Sequence, residues 1–400
     1  MNATSDSLAP ITSTDRIGEL DSLRGMALFG VLLVHFIGGV FYEMPLDADA
    51  FERWFGDPIQ RTVLTISDIS FWDKANTLFA MLFGMGFWVQ MERLEARRSD
   101  FISLYSRRLV ALLVIGFANL LLIFAGDVLH VYALLGFALL LARKMPARLM
   151  LFLGLILAVL ADPIIDSIVP KHEHGLDELE REVFYEGPYW RHVALMARLH
   201  FEEEIIGLRH LGWFSHLFGR FLLGAWLIRS GMLLKACRGE LPLGRLVVPC
   251  LGAGLALEVL SSAIYADLIA LPSLVDVLAH SVGALVLATG YAMALAAMHG
   301  SKRFAIIPEF FAPVGRTALT NYVWHGMYFW IFFMGFGFGF HLLGRIPPSM
   351  AALMAIGLFA MQVAASKWWL ARYRYGPLEY LWRWATYGSR PKFSLQPAAA

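Results

Sequence analysis

Apolar runs of about 20 residues recur along this 400-residue chain, separated by short polar stretches. Roughly 20 such residues are needed for a helix to cross the hydrocarbon of a bilayer. The pattern predicts about ten spanning helices: 21–42, 74–92, 107–126, 128–143, 148–169, 211–233, 246–267, 273–298, 313–342 and 349–371. The connections alternate in kind. Arg93, Arg97, Arg98, Arg107 and Arg108 share one, and Arg143, Lys144 and Arg148 share the next but one. Lys235, Arg238 and Arg245 follow, then Lys302 and Arg303, with Arg372, Arg374 and Arg383 after the last run. Basic residues concentrate on the cytoplasmic side of a membrane protein, so the alternation predicts that both termini are cytoplasmic. Of the opposite connections, 126–127 and 266–272 are tight. The segments 43–73 and 170–210 are long enough to fold against the helices as extracytoplasmic loops. After the last run, "YGPLEYLWRWATYG" places an amphipathic helix along the inner surface within 372–390, with Glu379 spaced to pair with Arg383 at i,i+4. The expected fold is one all-α polytopic membrane domain spanning 1–400.

Composition supports that class: 58% of residues are hydrophobic and 16% charged, where a soluble domain carries about a quarter charged residues. Membrane lipids are therefore the first expected partners, and no nucleic-acid partner is expected. Only Cys237 and Cys250 are present, which excludes a disulfide framework and a cysteine zinc site. His172, Glu173 and His174 form a His-x-His pattern without further ligands at fixed spacing, so no metal is expected. The polar first residues lack a basic n-region and a small-residue cleavage site, and the first apolar run reads as a retained helix.

That run, "LDSLRGMALFGVLLVH" at 20–35, carries two residues unwelcome in hydrocarbon. The eleven steps from Arg24 to His35 are about three turns plus about 20°, so both side chains share one helix face, about 16 Å apart. With the amino terminus inside, Arg24 sits near the cytoplasmic surface and His35 near the bilayer middle or beyond. Ionisable groups at such depth usually face the protein interior and mark a pathway or reaction site. The plainer alternative has Arg24 snorkelling and pairing with Asp21, and His35 bonding a neighbouring helix.

The same stretch resembles the opening of the YeiB-like membrane proteins, the family of domain of unknown function 418. "TLFAMLFGMGF" at 77–87, "GDVLHVYALLG" at 126–136, "GRTALTNY" at 315–322 and "YGPLEYLWRW" at 375–384 follow in order. The family is similar to a wider superfamily of transmembrane acyltransferases, whose type 3 members carry Arg or Lys, ten residues and a catalytic His on the first helix. Arg24 and His35 fit that spacing. In the YeiB-like pattern the position of His35 is commonly Asn and that of Asn119 commonly His. This exchange leads us to expect that His35 and Asn119 line one cavity; drift at two unrelated polar sites is the competing reading.

The resemblance implies an acyltransferase of the bacterial cytoplasmic membrane. It would take an acetyl group from cytoplasmic acetyl-CoA to a hydroxyl or amine of an unidentified extracytoplasmic or membrane-associated acceptor. Arg24, Arg108 and Arg316 would hold the nucleotide phosphates at an inner basic mouth, where arginine suits bidentate recognition. His35 would act as general base or acyl carrier. Asp127 and His130, one turn apart, would support it, unless Asp127 only caps the following helix. Asn321, beside Tyr322, is the expected thioester or pantetheine contact, and His325, one turn on, faces the substrate cavity; a structural role in helix packing is the alternative for all three. Arg316 and His325 lie about 180° apart on an unbroken helix, so they share a channel only if that helix kinks. A small-metabolite transporter remains the alternative, with "FMGFGFGFHLLG" at 333–344 as its flexible segment, and an envelope-complex partner is a third reading. The sequence leaves a homo-oligomer open.

Overall fold

A computed structural model describes residues 18–38, 48–96, 100–124, 126–168, 179–180, 182–183, 188–202, 210–237, 239–299, 301, 303–334 and 339–395. These are helical, with one isolated bridge between Tyr373 and Ser394 and no strand among the described residues. The helices are α1 (Gly18–Val34), α2 (Ala48–Gly56), α3 (Pro58–Ser70), α4 (Lys74–Ala96), α5 (Phe101–Leu122), α6 (Leu129–Leu141), α7 (Ala147–Ile168) and α8 (Tyr189–Leu199). They continue as α9 (Leu211–Arg229), α10 (Met232–Cys237), α11 (Leu243–Tyr265), α12 (Ser273–His299), α13 (Ile306–Arg316), α14 (Ala318–Phe333), α15 (Pro348–Leu370) and α16 (Pro377–Tyr387).

Among the described residues, seven helices are long and apolar enough to cross a membrane: Gly18–Gly38, Phe101–Leu122, Ala147–Ile165, Leu211–Arg229, Arg245–Tyr265, Ser273–His299 and Pro348–Leu370. The chain is thus an all-α, multi-pass membrane protein. Val114, Phe152, Val248 and Leu353 point outward on four of these helices, an apolar exterior that suits lipid rather than water. The other three expected runs fall on α4, which carries Lys74, Asn76, Gln90, Glu92 and Arg93, on the short α6, and on α13 with α14. Of the expected loops, 43–73 contains α2 and α3, and 170–210 contains α8; His172, Glu173 and His174 lie outside the described residues.

Local sequence explains the boundaries. Asp57 caps α3 by accepting from Ile59 and Gln60 N–H, with Pro58 at the first helical position, and Asp100 caps α5 through Ser103 N–H. The run expected at 313–342 begins earlier, at Ile306, and breaks at Thr317, whose ψ of 39° interrupts the helix. Pro313 sits inside the preceding turn and cannot donate to it. α1 lies in the centre, packed on α4, α13 and α15. Gly25 and Gly315 make the α1–α13 contact: a Cβ on Gly315 would overlap the Asp21 carbonyl, and one on Gly25 the Phe311 carbonyl.

Candidate functional site

A cavity of about 1150 Å³ opens at the end of the bundle that holds the start of α1 and all of α16. Seven arginines and one lysine line it, against only Asp21 and Glu379 on the acidic side. Phe79 and Arg93 both line it from α4, 14 residues and hence about 21 Å apart. The basic groups gather at the open end, and Phe79, Leu129, Tyr132 and Tyr322 form the inner wall. Its shape is a charged mouth leading to an aromatic passage.

The "GRTALTNY" and "YGPLEYLWRW" stretches build that mouth together. Breaking the helix at Thr317 puts Arg316 on the cavity wall while α14 carries Tyr322 to the inner end. Glu379 of α16 accepts from the N–H groups of Leu319 and Thr320 at 2.7 and 3.1 Å, and from the Thr320 hydroxyl at 2.6 Å. It caps α14, where a carboxylate meets the positive end of the helix dipole, instead of pairing with Arg383, whose guanidinium lies over Tyr375. Burial raises the Glu379 carboxyl above its usual range, against the hydrogen bonds from Thr320 and Leu319 that lower it. The Arg108 guanidinium stacks 3.6 Å from the Trp382 ring, and the Trp382 indole N–H donates to the Arg108 carbonyl at 2.8 Å. Arg24 pairs with Asp21 at 3.1 Å and still reaches the cavity. The segment 389–395 reaches the same opening. Phe393 packs 4.8 Å from Tyr373 and 4.5 Å from Tyr380, and Arg390, Lys392 and Leu395 line the wall.

Behind Tyr322 of the inner wall stand His35 and His325, neither of which lines the cavity, with the His35 ring 6.4 Å from Tyr322 and 6.3 Å from His325. His35 begins a wide π-type turn over 35–38 that ends α1, a deviation found often at functional sites. Its Nδ1 is buried without a hydrogen-bond partner. Gln362 orients the other imidazole: its Nε2 donates to the Asn321 carbonyl at 3.2 Å, so its Oε1 accepts from His325 Nε2 at 3.2 Å. That leaves His325 Nδ1, also buried and unpartnered, as the acceptor nitrogen of the neutral ring.

Asp127 and His130 form a neighbouring group. Asp127 Oδ2 accepts from Leu129 and His130 N–H, capping α6, and lies 3.1 Å from His130 Nδ1. Asn119 Nδ2 donates to Asp127 Oδ1 at 2.8 Å. This group meets the first through Tyr322, whose hydroxyl accepts from Val128 N–H at 3.2 Å. His35 and Asn119 make neither a hydrogen bond nor a ring contact with each other. Phe124 links them, its ring 4.5 Å from His35 and its N–H bonded to the Asn119 carbonyl. Asn321 is spent on the helix break: its amide nitrogen donates to the carbonyl and hydroxyl oxygens of Thr317 and to Ser366 Oγ, and it does not line the cavity.

Sequence reasoning passed over Gln362, a lone amide in the apolar run 349–371, and the basic residues of the tail. It also passed over Arg220 and Glu258, single charges inside apolar runs and thus visible by the same rule that singled out Arg24.

The profile described as "Protein of unknown function (DUF418)" matches residues 227–389. The chain is 32% identical over 414 residues to "Uncharacterized protein YxaH" of Bacillus subtilis (strain 168), covering 98% of each. It is 27% identical over 402 residues to "Uncharacterized protein YeiB" of Escherichia coli (strain K12), covering 93% of this chain and 96% of that one. No solved structure matches.

Proposed function

The chain belongs to the DUF418 family, and from that premise we propose that it is an acyltransferase of the bacterial cytoplasmic membrane, drawing on acetyl-CoA at a cytoplasmic basic mouth and serving an extracytoplasmic or membrane-associated hydroxyl or amine. The observation that carries this reading is the cavity that runs from clustered arginines to an aromatic end backed by a histidine with an unpartnered nitrogen. Its donor set suits a ligand with several phosphates on a long, less polar arm. Acetyl-CoA, when bound, supplies an activated thioester carbonyl.

Arg24, Arg108 and Arg316 bind phosphate at the mouth. Tyr322 and the other aromatic residues orient the arm and exclude water from the inner end. His35 takes the acceptor's proton through its free nitrogen as the acceptor's oxygen or nitrogen bonds to the carbonyl carbon; the carbon–sulfur bond breaks, and the imidazolium returns that proton to the departing sulfur. In the covalent variant His35 would bond to the acyl carbon as the carbon–sulfur bond breaks and the thiolate leaves, and the acceptor, losing its proton, would then displace the imidazole. His325, oriented by Gln362, is the second imidazole in reach of the same space. Thermal unfolding of the purified protein tests the donor: millimolar acetyl-CoA raises the midpoint by mass action, and no shift in folded protein counts against the reading.

One observation favours transport as the second reading. The α13–α14 break beside the cavity resembles the discontinuous helices that build transporter sites. Proteoliposomes separate the two: an acyltransferase releases CoA from acetyl-CoA when given an acceptor pool, whereas a transporter moves solute without consuming thioester.

A further inference from the structure

At the end of the bundle opposite the basic mouth, six ionisable side chains interlock where the starts of α4, α9 and α12 meet α11. Arg220 donates through both terminal nitrogens to the Asp73 carboxylate, at 2.7 Å through Nη1. His216 Nε2 lies 3.8 Å from the same carboxylate. Lys74 Nζ meets Glu258 Oε2 at 2.5 Å, with side-chain exposures of 1% and 2%, and His280 Nδ1 lies 3.1 Å from that same oxygen. The backbone of Asp73 adopts φ 61°, a conformation costly for a residue with a side chain and held here by the bidentate arginine. None of the six lines the arginine-rich cavity.

The charge balance of this network is incomplete. Asp68 of α3 lies in the field of Lys74, His280, Glu258 and Asp276, and Asp276, one turn before His280, accepts from Ser261 at 2.6 Å. Among the described residues, four carboxyls, Asp68, Asp73, Glu258 and Asp276, thus face two fixed cations, Lys74 and Arg220. Asp162 of α7 adds a further carboxyl near His216, and Tyr291 closes the set with its hydroxyl on the Ser70 carbonyl. An excess of carboxyls favours a charged imidazole beside them, and His280, against Glu258, is the group placed to gain a proton here. Burial raises the Asp68 carboxyl above its usual range despite Lys74 and His280, in keeping with a network that retains protons.

We propose that His280 and Glu258 form a proton-binding site at this end of the molecule, the proton held between His280 Nδ1 and Glu258 Oε2 and exchanged with outside water through the opposite edge of the ring. His280 is 30% exposed, whereas Glu258 is enclosed, so the imidazole meets the water and the carboxylate steadies its charge. A proton from water bonds to Nε2, which leaves an imidazolium whose Nδ1–H stays on Glu258 Oε2. A metal ion does not fit at Oε2, whose neighbours are the Lys74 ammonium and the His280 ring. The site is independent of acyl transfer.

Protein carrying 15N-labelled histidine, reconstituted in lipid nanodiscs, tests it. The His280 signals, assigned by their loss in His280→Gln, move from neutral to imidazolium positions as pH falls. In Glu258→Gln the midpoint drops by about one pH unit or more, because the opposite charge beside the ring is gone. A His280 signal unchanged across about pH 4 to 9, or a midpoint indifferent to Glu258→Gln, overturns the proposal. If Glu258→Gln fails to fold, dye-monitored proton uptake after an acid step decides: His280→Gln takes up one proton fewer than the native chain, and equal uptake overturns the site.

Discussion

His35 occupies the point where α1 widens into a π-type turn, and its buried Nδ1 has nothing to bond to. A structural histidine would be satisfied there, since an unmet buried polar group is destabilising. His35→Ala is therefore expected to leave acetyl-CoA binding near normal in a thermal-shift titration and to lower thioester turnover by roughly 10² or more; unchanged turnover removes it from the chemistry. Asn321 calls for the opposite outcome. Its amide ties Thr317 to Ser366, so Asn321→Ala lowers the unfolding midpoint while ligand affinity in the folded fraction holds; lost affinity with normal stability would restore the ligand contact expected from sequence. Glu379 adds a pH dependence whose sign is fixed. Its carboxyl is held above the ordinary 4.5 by burial, so between that value and its raised one the folded state binds more protons than the unfolded. Stability contributed by this group is then greatest below about pH 4.5 and declines as pH rises through the raised pKa. Glu379→Gln keeps an acceptor for the α14 N–H groups and flattens that decline, whereas Glu379→Ala costs about 1 kcal/mol through the lost cap. A stability profile identical in Glu379→Gln and native protein would refute the assignment.

Among the elements, the α1–α13 contact is the least tolerant. Gly25 and Gly315 let two backbones touch, and Gly315→Ala pushes them apart at a cost of about 1–3 kcal/mol, typical of overpacking, read as a lower unfolding midpoint with weaker acetyl-CoA binding. Normal stability in that variant would mean the helices part without cost. Apolar run length revealed the spanning helices directly, because lipid imposes a length and a composition on each. The break at Thr317 was legible only in part: helical geometry showed that Arg316 and His325 need a kink, but its place depends on Pro313, Thr317 and Ser366 acting across two helices. Pairing remote in sequence is the reason the rest was hidden. Nothing in "YGPLEYLWRW" says that Glu379 caps a helix 60 residues earlier, and the exchange of His35 and Asn119 relative to the family pattern gives no hint of the Phe124 ring beside His35.

At the scale of the whole molecule, charge is distributed unevenly along the bundle, with an arginine-rich opening at one end and a closed ion network at the other. An acyl donor gripped by phosphate is expected to bind less tightly as salt rises, since exposed charge pairs are screened. Acetyl-pantetheine, which lacks the nucleotide, is expected to bind far more weakly than acetyl-CoA; equal affinity of the two in calorimetry would show that the arginines do not read phosphate. The final residues matter for handling the protein. Leu395 lies against the cavity, and its backbone N–H is tied to the Arg372 carbonyl at 3.0 Å, so this segment stands at the entrance. A tag for ligand screening is better placed at the amino terminus, and a carboxyl-terminal fusion that abolishes affinity reports a plugged entrance before it reports a misfolded bundle.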